Sequence, residues 1–339
     1  MPIYKKKFVR NIIKLGNSKA VTFPQEWTEK AGLKEKTEVS MYPINDKTIL
    51  IVTHEEEEKR ILKITPFTNN KQWSINLIKQ SIISAFKLNV DEIYIKYVDK
   101  ENLTQKDDFY RKLYTLLKQL RQEIIGFDFN EHTQNKEFFI TFLLDTSKKS
   151  FLDIVKDLAS VFKTIIENIV EGAKKKDTEI KIRNYDLILE EIDRKYSLGT
   201  RILITGLSEY HGSKGYQNPP IIRFLGNRVI LIYTRDFINE SLRFQELPTG
   251  AVSKYADIIM KIPELIFNLI ENFDNINEQT ISEFQEYLEE IQGRLKKIEY
   301  EKGNDAELQI RNIIKHYLNG YKNFFDIGIT RMIDNMLEI

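Results

Sequence analysis

The sequence predicts a multidomain α+β protein in three consecutive parts: a small β-rich unit, a small α/β domain and an all-α antiparallel helix bundle. Three observations carry this. Short strand-like runs broken by turn residues fill the first fifty positions. Strand and helix periods then alternate between residues 61 and 144, and from Phe151 onward apolar residues recur only at helical spacing. The boundaries fall at residues 1–54, 55–146 and 147–339. A chain of 339 residues is long enough for two or three cores.

Composition excludes several classes. With 51 basic and 50 acidic residues there is no global excess of positive charge, so a nucleic-acid partner needs a local patch. The absence of cysteine rules out disulfides, thiolate zinc sites and cysteine nucleophiles. No window of about 18 apolar residues offers a membrane span, and the basic N-terminus lacks the apolar core of a signal peptide. A soluble, cytoplasmic protein is the expectation. Charged residues make up 30 % of the chain, a usage that heat-adapted organisms and AT-rich genomes both favour.

The first part begins with a charge imbalance. From Met1 to Ala20 stand Lys5, Lys6, Lys7, Arg10, Lys14 and Lys19 with no acid, whereas the next twenty residues mix four glutamates with three lysines. Phe8–Lys14 reads as a β-run, Gly16-Asn17 as positive-φ residues of a tight reversal, and Lys19–Phe23 as the returning strand. Pro24-Gln25-Glu26-Trp27 starts a short helix, where proline's missing N–H costs nothing, and Gly32 ends it. Glu38–Tyr42 and Thr48–Thr53 form a second hairpin around Asn45-Asp46. Four short strands and one helical turn cannot bury a core alone, so this unit needs a second copy.

These residues also carry a resemblance. The run KLGNSKAVTFPQEW, followed by AGL and DKTILIV, resembles the AbrB/MazE/SpoVT family of swapped-hairpin DNA-binding domains over roughly residues 5–53. The resemblance implies a homodimer in which the hairpins of two chains complete one β-barrel, with double-stranded DNA held by the first strand and turn. The family pattern carries over onto Lys7, Arg10, Lys14, Asn17 and Lys19; Lys5, Lys6 and Ser18 complete the candidate DNA-binding set. Lysines of this kind supply affinity and register through phosphates rather than sequence readout. The plain alternative is a solvated face that guards an edge strand.

In the middle part, Glu55–Glu58 is an acidic linker and Ile61–Ile64 a strand. Trp73–Leu88 has helical periodicity, Glu92–Val98 alternates, and Phe109–Ile125 is an amphipathic helix stopped near Gly126. Phe127–Phe129 and Glu137–Leu144 close the sheet, with His132 in the polar turn between them. No phosphate-cradling glycine loop and no catalytic constellation is present here.

In the last part, Phe151–Ala173 keeps its apolar spacing over about 35 Å of helix. Further helices are expected at Thr178–Ser208, Ile221–Leu247, 251–273, 277–301 and 304–337, with a polar loop from Glu209 to Pro220. The stretch EEIDRKYSLGTR, Glu190–Arg201, resembles a helix of archaeal PhoU-like proteins, in which an AbrB-type domain, a small α/β segment and a PhoU bundle follow one another. That resemblance implies a phosphate-linked regulatory role and, in many members, a carboxylate pair for metal ions. Here the family's Arg-Ile-x-Asp-His core is missing and RDFINESLRFQEL stands in its place. Asp236 and Glu240, four apart on one helix face, are the metal candidates, with Glu190 and Asp193 behind them. His211 and Lys214 read as a phosphate-binding turn or as an ordinary polar connection.

The function expected is that of a homodimeric DNA-binding transcriptional regulator whose helical half senses phosphate state or docks a protein partner. A PhoU-type adaptor for a phosphate transporter or kinase, with the N-terminal unit used for dimerisation only, is the alternative. An antitoxin would end in a short disordered tail rather than a bundle. Four scattered histidines and no nucleophile–base motif suggest no enzymatic reaction and call for no cofactor, a divalent metal aside.

Overall fold

The computed structural model describes residues 7–45, 48–52, 59–68, 71–97, 106–134, 136–144, 150–175, 185–210, 221–273, 276–299 and 304–337. The fold is mixed α+β and mostly helical. It divides into two compact units, one of Met1–Glu58 with Ser208–Asn218, the other of Lys59–Leu207 with Pro219–Ile339.

In the first unit, β1 (Ile13–Leu15) pairs antiparallel with β2 (Ser18–Ala20), in the register Ile13↔Ala20, Lys14↔Lys19, Leu15↔Ser18. Gly16 sits at φ +60° with open space around its missing Cβ, so only the backbone conformation calls for glycine. Asn17, expected at positive φ, is not there. One left-handed residue at the first central position reverses the chain, as in a type II′ turn. Both strands are shorter than expected: among the described residues, positions 9–12 belong to no strand. Helix α1 (Gln25–Lys30) starts after Pro24, and Gly32 follows it at φ +66°. β3 (Ser40–Asn45) pairs antiparallel with β4 (Thr48–Val52), and the Asp46 turn position lies outside the described residues. The two hairpins are separate two-stranded sheets, and among the described residues of this one chain no barrel closes. Residues 7–41, Ile49 and Ile51 of this hairpin segment are all exposed or half-buried.

The second unit has two apolar cores. The first belongs to a four-stranded sheet of order β5-β8-β10-β9, made by β5 (Ile61–Ile64), β8 (Glu92–Lys96), β9 (Phe127–His132) and β10 (Glu137–Phe142). β5 runs parallel to β8, and the other pairs are antiparallel. Strand alternation turns Ile93, Ile95, Phe138, Ile140 and Phe142 to one face. Helices α2 (Ile75–Lys87) and α3 (Lys106–Glu123) cover that face with Ile78, Ile82, Phe86, Leu113, Leu117 and Leu120. Gly126 turns α3 into β9 at φ +75°, where a Cβ would meet Leu143 O at 2.8 Å. A short pair, β6 (Phe67–Thr68) with β7 (Lys71–Gln72), had no sequence signal, since two residues carry no period. His132 is not in the turn but ends β9, its ring stacked 5.5 Å from that of Phe139.

The second core is all helical. α4 (Phe151–Lys174) opens with a capping box in which Ser150 Oγ accepts from Asp153 N at 3.1 Å and Asp153 Oδ2 from Ser150 N at 3.2 Å. Around it pack α6 (Ile221–Ser241), α7 (Thr249–Lys254) and α8 (Ala256–Glu271), with α5 (Tyr185–Tyr210), α9 (Glu278–Glu299) and α10 (Asp305–Leu337) completing the set. Phe162, Phe237, Tyr317, Tyr321 and Phe324 are fully buried at the centre. Two expected helices are interrupted. The one expected to run to Leu247 stops at Ser241 and gives way to a 3-10 turn, Leu242–Glu246, which drives Phe244 wholly into the core. The one expected from residue 251 is split at Tyr255, whose hydroxyl accepts from Arg311 Nε at 3.1 Å. Packing against the long helices decides both breaks, which local periodicity does not register. Glu209 and Tyr210 end α5 rather than beginning a loop, and residues 178–184 lie outside the described residues.

Candidate nucleic-acid interface

Hairpin β1–β2 sorts its side chains by alternation. Lys14 and Lys19 are directly opposed on one face, while Ile13, Ala20, Leu15 and Ser18 belong to the other. The structure therefore brings Lys14 and Lys19 together and separates Ser18 from them. Lys7, Arg10, Asn17, Lys14 and Lys19 are all exposed. Lys5 and Lys6 lie outside the described residues. Like charges placed opposite each other on a strand pair are unfavourable by a few tenths of a kcal/mol up to about 1. An anion between them reverses the sign of that interaction.

The same segment exposes apolar side chains that have no cover in one chain. Val9 is 73 %, Ile12 70 % and Leu15 67 % exposed, and Ile13, Val21, Met41 and Ile49 are exposed as well. This many bare aliphatic groups on one short segment form more apolar surface than scattered single exposed residues account for.

The metal candidates are dispersed. Glu240 is taken by Arg243 Nη1 at 2.5 Å, and Asp236 Oδ2 faces His316 Nε2 at 3.5 Å. Among the described residues no three His, Asp or Glu side chains are grouped to hold an ion. Asp193 binds Arg235 Nη2 at 2.6 Å, and Glu190 stands exposed one turn before it. His211 and Lys214 lie outside the described residues.

The stretch Glu190–Arg201 is where the bundle meets the sheet layer within the second unit. Arg201 is 3 % exposed, and its Nη1 donates to Phe86 O at 2.9 Å and Val90 O at 3.1 Å beyond the end of α2. Its guanidinium lies against the rings of Phe86 and Phe142, 5.1 and 5.3 Å from their centroids. Burial lowers its pKa, with Asp91 pulling the other way. A buried cation at a helix C-terminus satisfies leftover carbonyls and complements the dipole. Sequence reasoning placed this motif on a helix but could not see that its Asp193, Tyr196 and Arg201 face α2.

Comparison with known proteins returns no match: no protein-family model, no curated protein and no solved structure is similar to the chain. Among the described residues no helix is long and apolar enough to cross a membrane.

Proposed function

We propose that the protein is a homodimeric DNA-binding transcriptional regulator, responsive to phosphate state, in which two copies of residues 1–54 interlace into a swapped-hairpin barrel. The observation that carries this reading is the coexistence, on one segment, of an acid-free basic face and an uncovered apolar face. A second copy covers the aliphatic groups, and a duplex covers the cations. The resemblance of KLGNSKAVTFP and its following helix to the AbrB/MazE/SpoVT pattern supports the same arrangement, and Glu190–Arg201 supports a PhoU-like role for the helices. The basic residues are expected in the cytoplasm, where the duplex is.

The test is duplex binding by fluorescence anisotropy across a salt series with the full chain. About six neutralised phosphates give a log–log slope near −5. Charge reversal at Arg10 and Lys14 flattens that slope and weakens binding, while sedimentation still finds a dimer. A salt-independent signal, or no binding at about 50 mM salt, removes the reading. A signalling adaptor for a phosphate transporter or kinase is the second reading, because bare apolar surface alone demands only a dimer. It predicts that the same charge reversal leaves partner binding and phenotype unchanged.

A further inference from the structure

Within the second unit a cavity of about 440 Å³ opens between α2, the end of α3, α5 and α6. Its floor is the ring of Tyr196, only 9 % exposed. Three cations converge on that ring: Lys87 Nζ at 5.3 Å, the Arg228 guanidinium at 5.2 Å and the Arg235 guanidinium at 4.6 Å from its centroid. Lys87 comes from α2, whereas Arg228 and Arg235 stand about two turns apart on α6, so the fold brings the ammonium to a pair of arginines that one helix already aligns. Each approach to the ring is favourable by itself, yet three like charges around one ring repel one another.

Of the described acids nearby, only Asp193 pairs with a member of the group. Glu123 is held by Lys79 at 2.8 Å, Asp193 by Arg235 at 2.6 Å, and Glu190 is solvated at the mouth. Lys87, half-buried in the last turn of α2, has no ion-pair or hydrogen-bond partner among the described residues. Its pKa is lowered by burial first, then by Arg235 and Arg228, against which Asp193 acts only in part. Arg228 Nη1 donates to Thr200 Oγ1 at 2.8 Å, a neutral acceptor that leaves its charge in place. Arg235 Nε is buried with no acceptor. A cationic cluster with an idle ammonium and an orphaned guanidinium N–H lacks one component, a multivalent oxyanion.

We infer that this cavity is a binding site for a phosphate or diphosphate group, held by Lys87 and Arg235 of its lining, with Arg228 beside the Tyr196 ring adding positive charge. The volume exceeds what one tetrahedral oxyanion fills, so a diphosphate sits better than orthophosphate. Tyr196, already faced by cations, orients the three charges rather than stacking a base. The inference rests on the regulatory reading only for its consequence, since it names the ligand site of the sensing half. Binding itself is read with no DNA present.

The experiment titrates the full chain with inorganic phosphate and with pyrophosphate, by calorimetry and by thermal shift. Both anions are expected to bind and to raise Tm, pyrophosphate more tightly. In Lys87→Met the affinity for both falls at least tenfold, while the Tm measured without anion stays level or rises because the repulsion is relieved. Arg235→Gln, which keeps an N–H donor, loses affinity to a similar extent; circular dichroism checks that both variants fold. Absence of binding by either anion overturns the inference, as does a Tm shift that survives in Lys87→Met. Loss of anion binding with intact DNA binding refutes this site alone, and the reverse outcome refutes the hairpin reading alone.

Discussion

Replacing Arg201 by methionine removes a buried charged group that ties the bundle helix α5 to the end of α2. The consequences follow from its contacts. Phe86 O keeps the N–H groups of Leu88 and Asn89, whereas Val90 O loses the only hydrogen-bond donor it has among the described residues. An orphaned carbonyl costs up to about 1–3 kcal/mol when buried and less when half-buried as here, and loss of the cationic face on Phe86 and Phe142 adds about 1. The thioether recovers part of this by packing against the same two rings, and the burial penalty of a guanidinium whose Nε has no acceptor disappears. The net loss is about 2–3 kcal/mol, which in a unit of this size lowers Tm by roughly 4–5 °C. Arg201→Lys, whose single ammonium reaches one carbonyl more easily than two, is expected to lose about half as much. Differential scanning calorimetry on the full chain follows the transition of the larger unit. A Tm within about 2 °C of the parent for Arg201→Met would refute the assignment of this guanidinium as a tie between layers.

Gly320→Ala puts a Cβ onto the Phe237 ring, which is fully buried among Phe162, Tyr317, Tyr321 and Phe324 and has nowhere to go. Overpacking of about 1–3 kcal/mol outweighs the roughly 1 kcal/mol gained in helix propensity, and adding Phe237→Leu is expected to recover part of the loss in a double-mutant cycle by urea unfolding. Leu15→Asp removes an apolar group from each of two copies, so the dimer dissociates at least a hundredfold more readily by analytical ultracentrifugation, on the basis of about 1.5–3 kcal/mol per buried leucine; an unchanged association constant would show that a second chain does not cover this face. Ser150→Ala breaks the capping box of α4 and is expected to lower stability by about 1 kcal/mol in the same urea assay. For Lys87 the pH dependence has a definite sign. Its folded pKa lies below the unfolded 10.5, so between those two values the unfolded state holds more protons and the anion-free stability rises with pH. A bound oxyanion lifts that pKa, so anion binding takes up protons in this window and weakens above it. Calorimetry in two buffers of different ionisation enthalpy measures the uptake, and zero uptake across the window counts against Lys87 as a ligand.

Much of this molecule was legible in one dimension. The 3.6-residue apolar period located α2, α3, α4, α9 and α10 to within a few residues, because a helix that lies on a core writes its buried face into the sequence. The alternation of Glu92–Lys96 and Glu137–Phe142 did the same for the sheet, and Gly16, Gly32 and Gly126 marked reversals that do require positive φ. Local patterning also determined that residues 7–20 carry basic charge without acid and apolar surface without a core. What only the tertiary structure decided are matters of convergence. The breaks at Ser241 and Tyr255 answer to neighbours on other helices, and the parting of Ser18 from Lys14 and Lys19 is a matter of strand register. The meeting over Tyr196 joins Lys87 to two arginines of one helix more than a hundred residues later. Periodicity is a local property of the chain, whereas a charge cluster is created by packing, and no spacing rule relates residues that only the fold makes neighbours.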